Sequence, residues 1–103
     1  MRIAEVIGVV TLNTIHPSVQ GGRFPLAVPL TWDNLLHQGS RAEAIVVYDD
    51  SGAGIGCRVA LSEGREAANP FEPNPKPIDA YNAAILDAVD VATPAQLNHS
   101  TGE

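Results

Sequence analysis

The stretch AIVVYDDSGAGIGCRVALS, residues 44–62, decides how this chain folds. Its first five residues, Ala44 to Tyr48, form an apolar run too short for a helix and rich in β-branched side chains, which reads as a short buried strand. Residues 57–62 alternate in polarity and read as a second strand. Between them, Asp49 and Asp50 lead into Ser51, Gly52, Ala53, Gly54, Ile55 and Gly56, a tight, glycine-rich connection. A phosphate-cradling loop would need a helix after the glycines, so that its N–H groups face the anion, and a Lys-Ser or Lys-Thr pair. Here an alternating strand follows and no such pair does. The glycines therefore read as a turn that needs positive φ or close backbone approach, and the region as β structure.

Working outward, residues 2–12 are rich in Ile and Val and predict a long strand, with Gly8 marking a bulge or close approach. Residues 13–22 are a loop by their Asn, Pro and Gly content. Residues 24–30, FPLAVPL, have a period of two and predict another strand. Pro25 and Pro29 lie on one face of it and cannot donate ladder hydrogen bonds, which suggests an edge or an interrupted pairing. Residues 31–41 are polar and predict a loop or one helical turn. Residues 64–77 carry four prolines and read as irregular, with a helical turn at 65–68. Pro77 suits the first turn of a short helix over 78–83, capped by Asp79. Residues 84–91 read as the last strand and residues 93–103 as a disordered polar tail. The inventory is mainly β. The simplest closed arrangement for it is a five-stranded OB-like β-barrel with short helical turns, spanning residues 1–92.

Composition narrows the function classes. A chain of 103 residues fits one domain. Its 45% hydrophobic content is largely Ala and Val, so each core residue buries little area, and subunit association is a natural further source of stability. Twelve acidic residues against six basic give a net charge of −6. That argues against nucleic acid, whose binding draws on neutralised phosphates. The single cysteine, Cys57, cannot form an internal disulfide and suits a reducing cytosol. No apolar stretch resembles a signal peptide or reaches the ~20 residues of a membrane span.

No set of residues assembles a catalytic, cofactor or metal site. His16, His37 and His99 are far apart and read as solvated loop residues; with the lone Cys57 they give no metal-ligand pair. Ser51, Ser62 and Ser100 stand in no nucleophile elbow. Asp49 and Asp50 read as an acidic turn cap before a cation site. Asp87 and Asp90 read as residues of a solvated or interfacial strand face. Nothing joins nucleophile, base and oxyanion donor, so the sequence predicts a protein that is not an enzyme.

Three ordered stretches together resemble the EutN/CcmL family of bacterial microcompartment vertex proteins. The first is RIAEVIGVV at residues 2–10, followed by HPSVQG at 16–21 and LAVPL at 26–30. The second is VVYD at 46–49 with GAGIG at 52–56. The third is PIDA at 77–80 leading into ILDAV at 85–89. The chain departs from the family where Cys57 replaces a frequent Glu after the glycines, and in its Pro-rich loop at 69–76. The resemblance implies a cyclic homopentamer at the fivefold corners of a polyhedral, carboxysome-like shell, beside hexameric or trimeric shell proteins, with no cofactor, nucleic acid or membrane. It also implies that Ser51, Gly52, Ala53, Gly54, Ile55 and Gly56 lie at the pore or the subunit interface. The rival class is an OB-type binding module for a small ligand or nucleic acid. Such a module needs a basic groove and stacking aromatics, of which this chain has few.

Overall fold

Alternation of small apolar residues dictates the architecture. The computed structural model describes residues 1–74 and 76–101. Its strands are β1 (Arg2–Val10), β2 (Phe24–Pro29), β3 (Ile45–Val46), β4 (Arg58–Glu63) and β5 (Ala80–Leu86). They form one five-stranded sheet in the order β3-β2-β1-β4-β5, and every neighbouring pair is antiparallel. Two short helices, α1 (Trp32–Leu35) and α2 (Pro94–Thr101), and three 3-10 turns complete the described residues. Successive side chains in a strand point to opposite faces. One face collects Ala4 and Val6 of β1, Ala27 of β2, and Val59 and Leu61 of β4; with Val47, Ala53 and Ala80 they make the core.

The sheet is open as a strand ladder. Its two end strands approach where an isolated parallel bridge pairs Tyr48 with Tyr81. The Tyr48 N–H donates to the Ala80 carbonyl at 2.9 Å, and the Asn82 N–H donates to the Tyr48 carbonyl at 3.0 Å. The mainly-β inventory is thus as expected, whereas a continuous barrel wall is not what the ladder contains.

Other expectations need correction. Of the two alternatives for β2, the structure shows the interrupted pairing and not the edge: β1 and β3 flank it, and β3 pairs with only two of its residues. Its prolines are tolerated because β3 pairs only with Leu26 and Ala27, between them, while Pro25 still offers its carbonyl to the Val47 N–H at 3.0 Å. The helix expected over 78–83 is the first part of β5, and Asp79 caps no helix. Residues 80–86 have helix-tolerant composition, but the ladder to β4 runs from Glu63↔Ala80 to Arg58↔Leu86 and overrides it. β5 then ends at Leu86, short of Val91. The segment read as a disordered tail carries α2, opened by a capping box: Gln96 N–H donates to Thr93 Oγ1 at 3.2 Å and Thr93 N–H to Gln96 Oε1 at 2.7 Å. Residues 102 and 103 of that tail lie outside the described residues. The radius of gyration is 16.0 Å, against about 13 Å for a compact chain of this length, so part of the chain stands away from the core.

Candidate functional site: the Asp49-held glycine loop

The loop between β3 and β4 owes its shape to one buried carboxylate. Asp49 is fully buried. Its Oδ1 accepts from the Ser51 N–H at 2.9 Å, and its Oδ2 accepts from the N–H groups of Gly52 at 3.2 Å and Ala53 at 2.9 Å. A fourth donor, Asn82 Nδ2 on β5, reaches Oδ1 at 2.9 Å. Three successive backbone donors on one carboxylate fold the chain into a tight nest, and four charge-assisted bonds offset the cost of burying the acid. The acidic turn cap expected from the sequence is therefore Asp49. Asp50 is exposed and accepts from the Tyr81 hydroxyl at 2.8 Å.

Within the loop the six expected residues divide by role. Ala53 is 0% exposed and belongs to the core; Ile55 is 72% exposed. Ser51, Gly52 and Gly56 are exposed and Gly54 is half-buried. Gly52 and Gly56 have φ of 86° and 91°, a region where a side chain is strained. Gly54 does not, and a Cβ at Gly54 would meet open space. Further bonds fix the loop to β1 and to the residue just before β2: Gly56 N–H to the Val6 carbonyl at 2.8 Å, and Arg23 Nη1 to the Ala53 carbonyl at 3.2 Å. The result is a rigid turn that buries Ala53 and presents Ile55 outward.

Beside it lies an aromatic cluster that sequence reading missed. Tyr48 meets Phe24 and Phe71 edge-on, with centroids 5.8 and 5.7 Å apart, and stacks on Tyr81 at 6.0 Å. Lys76 Nζ lies 4.8 Å from the Phe71 centroid and 5.4 Å from that of Tyr48, and donates to the Ser18 carbonyl. This cation–π contact and the rings tie the Pro-rich segment to the sheet. The cluster also explains Gly22, where a Cβ would stand 2.7 Å from Tyr48 Cζ and closer still to Cε2. Burial first, then the hydrogen bond to Asp50 and the nearby acids, push the Tyr81 hydroxyl up to about 12. It stays protonated, and stays a donor, at any physiological pH. The one sequence signal for this network was the placement of Tyr48 between a buried run and an acid. The Asn82 partnership had none, because Asn82 lies 33 residues away in sequence.

The Asp49 carboxylate shapes the backbone of the loop. Among the described residues no group of three His, Cys, Asp or Glu side chains could hold a metal ion. Cys57 is half-buried and free. No helix among the described residues is long and apolar enough to cross a membrane.

The fold and loop together define a small mainly-β protein with a buried polar centre at Asp49. The family described as ethanolamine utilisation protein EutN/carboxysome matches residues 1–87, and the chain belongs to this EutN/CcmL family. It is 34% identical over 93 residues to the carboxysome shell vertex protein CcmL of Synechococcus elongatus, covering 88% of each chain. Its structure is similar to the GrpN pentameric microcompartment shell protein from Rhodospirillum rubrum, with a TM-score of 0.73 at 28% identity, over 89% of this chain and 100% of that one. CcmL of Nostoc sp. gives a TM-score of 0.72 at 30% identity, over 86% and 92%.

Proposed function

We propose that this chain is a structural shell protein that assembles as a closed homopentamer and caps the vertices of a bacterial microcompartment. The observation that carries the reading is the match in fold to a pentameric shell protein over that protein's whole length, joined to family membership over residues 1–87. Physical logic agrees. A heterologous interface whose rotation closes gives a ring, and a layer of hexagonal tiles needs pentagons to curve shut. The role is geometric and asks for no reacting group. The isolated chain also leaves Ile7, Val9, Leu12, Val46, Ile55 and Ile85 each more than 40% exposed, or at 40% for Leu12, apolar area that neighbouring subunits can cover.

Several finer assignments belong to the same proposal. Residues 1–92 are the ring-forming unit and residues 93–103 an appendage. The unit is an OB-like barrel, a reading supported by the bridge between Tyr48, just after β3, and Tyr81 of β5. Ser51, Gly52, Ala53, Gly54, Ile55 and Gly56 lie at the pore or the subunit interface, a reading supported by the outward Ile55 on a turn locked from behind. The partners beyond the ring are hexameric or trimeric shell proteins of the same compartment. Native mass spectrometry of the purified full chain tests the proposal. Five subunits are expected; a stable monomer at micromolar concentration, or a hexamer, overturns it. For the loop, Gly54→Val should weaken assembly while leaving the circular dichroism of the subunit unchanged, and a fully assembled, equally stable variant would remove the loop from the interface.

A further inference from the structure

Beyond Leu86 the chain does something the sheet does not explain. Residues 87–92, DAVDVA, alternate like a strand, with Val89 and Val91 half-buried and their neighbours exposed. Yet they pair with nothing: β5 stops its ladder at Arg58↔Leu86. Among the described residues the only hydrogen bond in this segment is from Trp32 Nε1 to the Ala92 carbonyl, at 3.0 Å. The segment is thus held at both ends, by the ladder before it and by α1 after it, with a bare backbone between. A row of unpaired N–H and C=O groups is a template for another strand.

A second bare edge lies elsewhere on the subunit. β1 pairs with β4 only from Arg2 to Glu5, with two more bonds joining Val6 to Gly56 and Cys57. From Gly8 to Val10 its register is with β2 alone. There it borders a groove of ≈ 250 Å³ lined by Val9, Val10, Leu12, Ile15, Arg23 and Phe24, among others. Val9 and Leu12 are 46% and 40% exposed. The charges of the two regions are opposite. Residues 6–32 contain no acid and one arginine, the exposed Arg23, whereas residues 77–101 contain Asp79, Asp87 and Asp90 and no Lys or Arg.

We infer that the 87–92 segment of one subunit docks as an added strand against the free β1 edge and the groove at Val9, Leu12 and Phe24 of a second copy of this chain. The inference rests on the ring reading above and names the contact that would close the ring. Main-chain hydrogen bonds supply the pairing, and the valines meet the apolar groove. The acidic strand lies against the side that carries Arg23. Because the two surfaces share no residue, the contact is heterologous, the type that builds rings. Because the segment is already tethered at both ends, at Leu86 and at Ala92, less conformational freedom is lost on docking.

One experiment on the full chain and two truncations test this. In a Cys57→Ser background that still gives the native pentamer, Val91→Cys is combined with Leu12→Cys and oxidised. A ladder of covalently linked chains up to the full ring is expected only when both substitutions are present. Truncation after Leu86 should abolish the oligomer, while truncation after Ala92 should retain it. An assembled pentamer that forms no interchain crosslink, that forms an intrachain one instead, or that survives truncation after Leu86, overturns this contact and leaves the ring reading standing. A monomeric wild-type chain overturns both. If the shorter truncation fails to fold, the crosslink in the full chain still decides.

Discussion

The glycine loop and the segment after β5 are opposite solutions to the same problem, a backbone outside the ladder. In the loop, three successive N–H groups converge on the Asp49 carboxylate. In residues 87–92, among the described residues, the Ala92 carbonyl alone is engaged. Buried backbone groups in native proteins are nearly all paired, so a satisfied segment is finished within its own subunit. A bare one relies on water or on a partner. The contrast teaches where this subunit is self-sufficient and where it is incomplete, and that division follows from side chains available locally. Asp49 sits beside the donors it serves; no residue near 87–92 offers the equivalent.

The strongest way to break the comparison is to take away the loop's acceptor. Asp49→Ala leaves three backbone donors and the Asn82 amide without their buried partner, at a cost of about 3–5 kcal/mol given the usual penalty per unsatisfied group. Urea unfolding of the variant beside the wild type measures it. A loss under about 1 kcal/mol would show that water takes over the nest, which would erase the distinction between the two segments.

A smaller effect separates a glycine needed for space, Gly22, from one needed for neither space nor φ, Gly54. Gly22→Ala pushes a methyl into the Tyr48 ring and should destabilise by about 1–3 kcal/mol, the range for overpacking. Gly54→Ala meets open space at an ordinary φ and should stay within about 0.5 kcal/mol, the usual range for a surface change. Equal losses at the two sites would mean that the Tyr48 cluster yields and is not the rigid backing of the loop.

Much of this was legible in the chain and some was not, for reasons that particular residues show. Richness in Ile and Val placed β1, and period-two alternation placed β2 and β4, because a one-sided core writes itself into the sequence. The ordered motifs from Arg2 to Val89 carried the family. The stretch 78–83 was misread because Ala, Tyr and Asn tolerate both states, and what decides is a ladder partner about twenty residues upstream. The interior position of β2 was hidden because prolines signal an edge on average, and only the two-residue length of β3 lets them sit inside. Asp49 could be recognised as a turn cap. Its burial and its bond to Asn82 depend on which strand closes over it, which local pattern cannot report.

The next test concerns how the loop is tied to β5. The Tyr81 hydroxyl donates to Asp50, and its pKa is raised from the ordinary 10.0 to about 12, first by burial and then by that bond. A group whose folded pKa is raised contributes stability that is complete below its unfolded pKa and is lost as pH rises through the folded value. The contribution is therefore flat across neutral pH and fades between about 10 and 12. Tyr81→Phe should cost about 1 kcal/mol at neutral pH, as for a single hydrogen bond, and should flatten the decline in stability above pH 10. An unchanged alkaline decline in the variant would assign it to other groups.

The smallest effect expected is at the far end of the chain, and it bears on the bare segment from the other side. α2 is opened by a local capping box between Thr93 and Gln96, and residues 92–97 are exposed. Helices of this length are marginal on their own in water, so α2 contributes little that the sheet depends on. Truncation after Ala92 removes the helix and keeps the Ala92 carbonyl that Trp32 holds. It should change stability by less than about 0.5 kcal/mol, the usual range for surface changes, and leave the oligomer's mass per subunit count unaltered. Paired urea and native-mass measurements on this truncation read both quantities. A loss of the ring here would move the structural boundary beyond residue 92 and make the helix, and not the bare strand before it, the part of the C-terminus that the neighbouring subunit needs.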